Sequence, residues 1–217
     1  MRKFFLILYL SFFAVTLWTD EINNSLFDNP LSLQTMDAFA KISAMLAEHT
    51  IVKGNFEQEK KINRLNRSLV SSGNFLIVSG LGMVWDTVKP FPSTVTLGKD
   101  YIIQSRGNQR TVLSTQGNET FIRMAEIINA VFTGDKQRLT ENFELYFIGI
   151  ITNWEMGLIP KDRTVASVTG RIAMKGDSAI RSILIYQQNG DSTEYILSNH
   201  SYPAELNVNE KAYFTVP

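Results

Sequence analysis

Only two stretches of this 217-residue chain repeat their apolar residues with helical spacing, and most of the rest alternates. Residues 31–49 put Met36, Phe39, Ile42, Met45 and Leu46 on one broad face. Residues 119–139 do the same with Phe121, Met124, Ile127, Ile128, Val131 and Phe132. Such spacing marks an amphipathic helix with one buried side. The order is therefore helix, several strands, helix, several strands. Consecutive strands joined by short turns pair antiparallel. Two separate helices with wide apolar faces need a surface to cover, which favours an α+β fold: one curved sheet with the helices packed on its concave face.

The strand signals are specific enough to place. "TIVKGNFEQEKKI" and "RSLVSSGNFLIVSG" flank a polar link around Asn63 to Asn66. "LGMVWDTVKPFPSTVTLG" reads as two short strands broken by Pro90 and Pro92, which cannot donate to a ladder. "KDYIIQS" and "QRTVLSTQ" follow. "TGD" at 133–135 is a helix stop, with Gly134 free to take a positive φ. Strands then recur in "NFELYFIGIITNWEMGLIP", "SVTGRIAMKG", "IRSILIYQQNG", "STEYILSN" and "KAYFTVP", with a tight-turn signal at Asn189-Gly190.

The first 18 residues stand apart from this pattern. Arg2 and Lys3 precede an apolar run of about 15 residues, the length of a secretory leader and short of the roughly 20 that a membrane span needs. The expected organisation is a signal peptide over 1–18 and one domain over 19–217, working in the periplasm after export. No clear A-x-A precedes Thr19, and an uncleaved anchor is the alternative.

Composition narrows the chemistry. Twenty-one basic and 21 acidic side chains balance, whereas a nucleic-acid binder normally carries a basic surplus. The chain has no cysteine, so disulfides, thiolate metal sites and a cysteine nucleophile are excluded. His49 and His200 are far apart in sequence and lack metal-ligand spacing. No nucleophile elbow or serine, histidine and acid arrangement is recognisable. The expectation is a protein that is not an enzyme, with no cofactor and no metal. A hydrolase of lipid-like esters stays open as a triad formed only by folding.

The motifs in order resemble a known family. Phe56 and Gln58 form an F-x-Q element; "GNFLIVSG" opens a strand at Gly73; "GMVW" ends at Trp85. Pro90 leads to a Gly turn at Gly98, Leu158 and Pro160 close a strand, and Asn189, Gly190 and Asp191 precede "STEYILSN". Phe214 and Pro217 end the chain. Together these resemble the LolA-like carriers, which ferry lipoproteins across the periplasm to the outer membrane. The resemblance implies an unclosed β-barrel whose helices act as a lid over an apolar cavity for acyl chains. It implies lipoprotein or lipid acyl chains as cargo, an inner-membrane transporter or exporter and an outer-membrane acceptor as partners, and a monomer. One departure stands out: where the carriers typically have an Arg-Pro tied to lid closure, this chain has Ser79 and Gly80. The "NGD-x-T" hairpin is similar to a related subgroup thought to accompany exporters of glycolipids. An adaptor for such an exporter is the alternative function.

Side chains on a strand alternate between faces. By the resemblance the Phe75 side faces the cavity, which also assigns Ile77, Met83, Trp85, Val95, Leu97 and Phe56 to it. Met124, Ile127, Ile128 and Phe132 join from the second helix, and Met36 and Phe39 from the first, as the lid. By itself, a helix stripe over a sheet ordinarily reports plain core packing. Each methylene of an acyl chain moved from water into such a cavity contributes about 0.8 kcal/mol, in competition with the lid's own burial. Glu in place of Met83 or Ile77 is expected to leave the fold intact and to abolish lipid retention. Lys60, Lys61, Arg64 and Arg67 form a local basic cluster. Such a run is ordinarily a solvated loop, and otherwise it contacts an anionic head group or an acidic partner.

Overall fold

The computed structural model describes residues 22–107, 109–114, 130–132 and 134–216. The signal-peptide expectation, Met124, Ile127, Ile128 and Pro217 all fall outside the described residues. Eleven strands form one antiparallel sheet in the order β6-β5-β4-β3-β2-β1-β11-β10-β9-β8-β7. They are β1 (Ile51–Ile62), β2 (Arg67–Val78), β3 (Gly82–Lys89), β4 (Ser93–Gly98), β5 (Tyr101–Arg106) and β6 (Gln109–Ser114), then β7 (Phe143–Ile150), β8 (Asn153–Pro160), β9 (Arg171–Gly176), β10 (Ile180–Tyr186) and β11 (Ser192–Ser201). Every neighbouring pair is consecutive in sequence except β1 with β11. The sheet does not close: β6 and β7 are its edges.

Strand alternation sorts the side chains into two faces. The inner face carries the larger core, built from Phe56 on β1, Phe75 and Ile77 on β2, Phe143 and Phe147 on β7, Trp154, Met156 and Leu158 on β8, and Leu197 on β11, among others. Helix α2 (Met36–Ala47) lies on this face and buries Phe39, Ile42 and Leu46 against it. Phe39 meets Phe147 edge-on at 6.5 Å. The helical residues 130–132 also bury here, as do Leu139 of α3 (Lys136–Asn142) and Val165 of α4 (Arg163–Thr169).

The N-terminal segment passes around one edge. Phe27 of α1 (Ile22–Phe27) packs edge-on against Tyr146 at 5.4 Å, and the Arg171 guanidinium sits 4.8 Å above its ring. Tyr146 and Arg171 alternate with inner-face residues, which places α1 on the outer face. The chain then pairs with the free side of β7. Leu31 N–H donates to Leu145 C=O at 2.8 Å, and Phe147 N–H donates to Asn29 C=O at 3.0 Å. Covering an edge in this way removes a template for unwanted strand pairing.

Several sequence expectations are corrected here. "KAYFTVP" is not a strand: Val208–Tyr213 form helix α5. The Asn207 side chain accepts from the Glu210 N–H while Glu210 accepts from the Asn207 N–H, a reciprocal capping box. The start of "SVTGRIAMKG" belongs to α4, whose N-cap Asp162 accepts from the N–H groups of Thr164 and Val165. The stop at 133–135 ends one helical segment, with Gly134 at φ +61°, but Asp135 caps a second one, α3. Helix α2 covers the inner face as expected, and the short helices α1 and α5 add cover on the outer face.

Helix α5 and Phe214 cover a smaller outer core of Ile51, Leu76 and Val84. Lys53 of β1 reaches Glu210 at 2.7 Å. The hydrogen bond from Lys53, aided by the Asn207 N–H, holds the Glu210 carboxyl below its usual value. Beside this core runs a row of polar side chains across five strands. Asn199 donates to Asn55, Asn55 donates to Asn74, Asn74 donates to Asp86, and the Thr94 hydroxyl donates to Asp86. Asn74 sits directly opposite Asn55 and Asp86, and Asp86 opposite Thr94.

Two substitutions separate the two cores. Phe147→Ala empties a fully buried site and is expected to lower unfolding free energy by about 3–5 kcal/mol. Glu210→Ala removes half of a capping box and a partly exposed ion pair, and is expected to cost about 1 kcal/mol. Denaturant midpoints of the two variants check both values.

Candidate functional site: the inner face between α2 and β1–β6

Register pairing lays the expected site residues out in two rows. One row runs Val52, Ile77, Met83, Leu97, Ile102 and Leu113 from β1 to β6. The next runs Gly54, Phe75, Trp85, Val95, Gln104 and Thr111. Phe56, Phe75, Ile77, Met83, Trp85, Val95 and Leu97 therefore share the inner face, as alternation requires. Their burial differs. Phe56, Phe75 and Ile77 are buried in the core, Met83 and Trp85 pack against it half-buried, Leu97 is half-buried, and Val95 is exposed. Leu113 on the edge strand is exposed as well.

Aromatic rings dominate the centre. Trp85 stacks on Phe56 at 4.3 Å, and Phe75 lies 6.1 Å away nearly parallel. Tyr195 meets Trp85 edge-on at 5.1 Å, and burial pushes its hydroxyl above the usual phenol value. Gly54 makes this packing possible. A Cβ there would stand 2.9 Å from the Phe75 ring and 2.5 Å from the Ser198 carbonyl oxygen. The Trp85 indole N–H is buried with no acceptor among the described residues. An unmade hydrogen bond of this kind costs about 1–3 kcal/mol, so the position carries a demand for an acceptor that the fold leaves unmet. Trp154, by contrast, donates its indole N–H to the Asp177 carbonyl at 2.8 Å.

Beneath α2 the described residues pack closely. Phe39 and Ile42 of α2 are fully buried, Phe132 lies 6.5 Å from Phe75, and Met36 is half-buried against the same core. The cavity left between α2 and the sheet measures about 20 Å³, room for about one water molecule. Burying a Phe or Ile contributes about 1.5–3 kcal/mol, so the apolar face of α2 closes on the sheet when nothing else occupies it. Ile77 is part of that packed interior. Glu at Ile77 would bury a charge and test folding, not retention; the partly covered Met83 and the exposed Val95 are the informative positions.

The two histidines, remote in sequence, line this one cavity with Met45, Leu46, Phe75 and Tyr202. His49, just beyond α2, stacks on Tyr202 at 3.8 Å. His200 stands edge-on to Phe75 at 5.6 Å, its Nδ1 3.3 Å from the Arg181 guanidinium, which is itself paired with Asp177 at 2.9 Å. No sequence motif signals this group, because strand β11 and the turn after β9 bring it together. Ser79 N–H donates to the carbonyl of Thr50, the residue after His49, at 2.8 Å, and Gly80 turns the chain at φ +77°. Among the described residues no three His, Asp or Glu side chains converge as a metal site requires.

With this geometry established, comparison with known proteins becomes informative. Residues 32–213 match the model of the outer membrane lipoprotein carrier protein LolA-like family. The chain belongs to this family. No curated protein sequence matches the chain. Solved structures similar to this LolA-like chain include a LolA superfamily protein from Nitrosomonas europaea, at 10% identity and TM-score 0.48, covering 84% of this chain and 97% of that one. The lipoprotein LppX from Mycobacterium tuberculosis is 12% identical, with TM-score 0.42 and coverage of 81% and 100%. MucB, in its Pseudomonas aeruginosa complex with MucA, is 11% identical, with TM-score 0.46 and coverage of 85% and 63%.

Burial, and secondarily the Arg181 charge, hold the His200 imidazole below its ordinary value, against the opposing effects of the Ile180 backbone and Asp177. The folded state then binds fewer protons than the unfolded chain below about pH 6.5, so stability falls as the pH is lowered through that value. Denaturant midpoints measured from pH 8 to pH 5 are expected to drop on acidification, and His200→Asn to flatten the drop. An unchanged slope in the variant would assign the dependence to other groups.

Proposed function

We propose that this chain is a periplasmic carrier, without catalytic activity, that holds acyl chains of lipoproteins or related lipids on its inner face and moves them toward the outer membrane. One observation supports this most: beyond the helix-covered core the inner face of β1–β6 keeps apolar side chains, and Val95 and the edge residue Leu113 on either side of buried Ile102 are exposed. A soluble fold that ends its interior in bare hydrocarbon offers a place for a chain to start binding. The unmet Trp85 N–H sits where that strip meets the core, and an ester or amide carbonyl of the cargo would supply its acceptor.

Loading then works by exchange. An acyl chain entering along Met83, Trp85, Val95 and Leu97 displaces part of the α2 contact with Phe75 and Phe132. The chain contributes about 0.8 kcal/mol per methylene, and the displaced helix side chains give back a comparable amount. Near balance keeps both loading and release possible. The LolA-like membership supports lipoprotein cargo, with an inner-membrane transporter as donor and an outer-membrane acceptor.

Native mass spectrometry of protein purified without detergent is expected to show bound lipid, and cis-parinaric acid to bind with a change in Trp85 emission. Val95→Glu is expected to weaken that binding about tenfold or more, a loss of at least roughly 1.4 kcal/mol, with the melting temperature unchanged. Trp85→Phe is expected to weaken it several-fold through the lost donor, roughly 0.5–1.5 kcal/mol. Protein that carries no lipid, ignores parinaric acid and retains a membrane protein in a pull-down would replace this reading with that of an exporter adaptor.

A further inference from the structure

The antiparallel meander sends the turns after β1, β3 and β5 out of the same end of the sheet. That end gathers cations. Lys60 and Lys61 close β1, Arg64 lies in the 3-10 turn Asn63–Leu65, Arg67 opens β2, Lys89 closes β3 and Arg106 closes β5. None of the six forms an ion pair with a described residue. This is a local surplus in a chain whose total charge is zero. Three carboxylates at this end offset only part of it. Glu59 and Glu194 oppose each other across β1 and β11 on the outer face, and Asp191 accepts from the Asn63 N–H and the Asn189 side chain.

Bare hydrocarbon is interleaved with these charges. Leu65 and Leu69 are 56% exposed, Val70 65% and Phe91 71%. Pairing between β2 and β3 begins only at Ser72, so Arg67–Ser71 and the β1–β2 turn project beyond β3. The tip is shaped, not ragged: Asn66 takes φ +46°, and its N–H donates to the Asn63 carbonyl at 3.1 Å. Cations beside exposed Leu, Val and Phe suit one partner above others. Lys and Arg pair with anionic headgroups while the apolar side chains enter the boundary below them. A nucleic acid would use the charges and leave the aliphatic residues without a role.

We propose that this end of the sheet docks on a bilayer surface bearing anionic headgroups, inserting Leu65, Leu69 and Phe91 between them. This goes beyond acyl-chain carriage and does not depend on it, since the docking residues lie outside the inner-face strip. Docking would bring the carrier to a membrane and hold it in one orientation, with the β1–β2 hairpin foremost.

The test is co-sedimentation of the full chain with phosphatidylcholine vesicles, with and without phosphatidylglycerol, at low and at high salt. Binding to the anionic vesicles is expected to exceed binding to the neutral ones by about tenfold at low salt and to fall steeply as screening rises. The double variant Arg64→Glu/Arg67→Glu is expected to lose that preference, and Leu65→Ser/Phe91→Ser to weaken binding several-fold, with unchanged melting temperatures because these side chains are exposed. Equal binding to both vesicle types, no binding to either, or full binding by the charge-reversed variant would overturn the proposal. Val95→Glu separates the two claims: it is expected to lose parinaric acid while keeping vesicle binding.

Discussion

The pairing of β1 with β11 holds the rest of this structure in place. Every other ladder joins strands that follow one another, so without this contact the chain would be two meanders, β1–β6 and β7–β11. Phe56 lies opposite Leu197 across that seam, and Gln58 opposite Tyr195. The seam therefore also joins the two halves of the inner core, the aromatic group around Trp85 on one side and the Trp154, Met156 and Leu158 group on the other. Helix α2 lies across the joined face and depends on both halves.

That arrangement divides the inner face by how fully it is covered. Over β7–β11 the face is packed by helix and strand side chains, and the cavity beside the end of α2, between Val52, Phe75 and His200, measures about 20 Å³. Toward β4–β6 the cover is uneven: Ile102 is buried and Leu97 half-buried, while Val95 and the edge residue Leu113 are exposed. A face closely packed under α2 and less covered beyond it follows from ordinary energetics. Apolar surface on a helix that can reach the sheet will cover it. Cargo must then compete with α2, and the binding competence of the protein lies in how easily that helix yields. The aromatic pair at Phe56 and Trp85 marks the border between the two regions.

Much of this was legible in the sequence, and the failures are instructive. Strand alternation groups Phe75 with Ile77, Met83 with Trp85 and Val95 with Leu97, and the resemblance to the LolA-like carriers supplies the side that faces inward. Neither could say which of them is buried, since that depends on where α2 lands. Helix α5 was misread as a strand because Tyr213, Phe214 and Val216 look β-like, yet the "NVNE" at 207–210 carried the capping signal that wins locally. Asp162 and Gly170 likewise bracket α4 with a start and a stop signal. The stacking of His49 on Tyr202 had no local signal, and neither did the covering of β7 by residues 29–31. Both are long-range contacts, and periodicity reports only on neighbours.

The polar row from Asn199 through Asn55, Asn74 and Asp86 to Thr94 has a consequence for how this large sheet avoids assembling wrongly. Asn and Asp are poor strand formers, and a slip of one residue between any two of these strands would swing an amide or a carboxylate into the hydrocarbon interior while stranding its former partners. The row therefore works as an alignment key. It adds little to the strength of the correct assembly, and it raises the energy of each neighbouring misalignment enough to leave one arrangement standing.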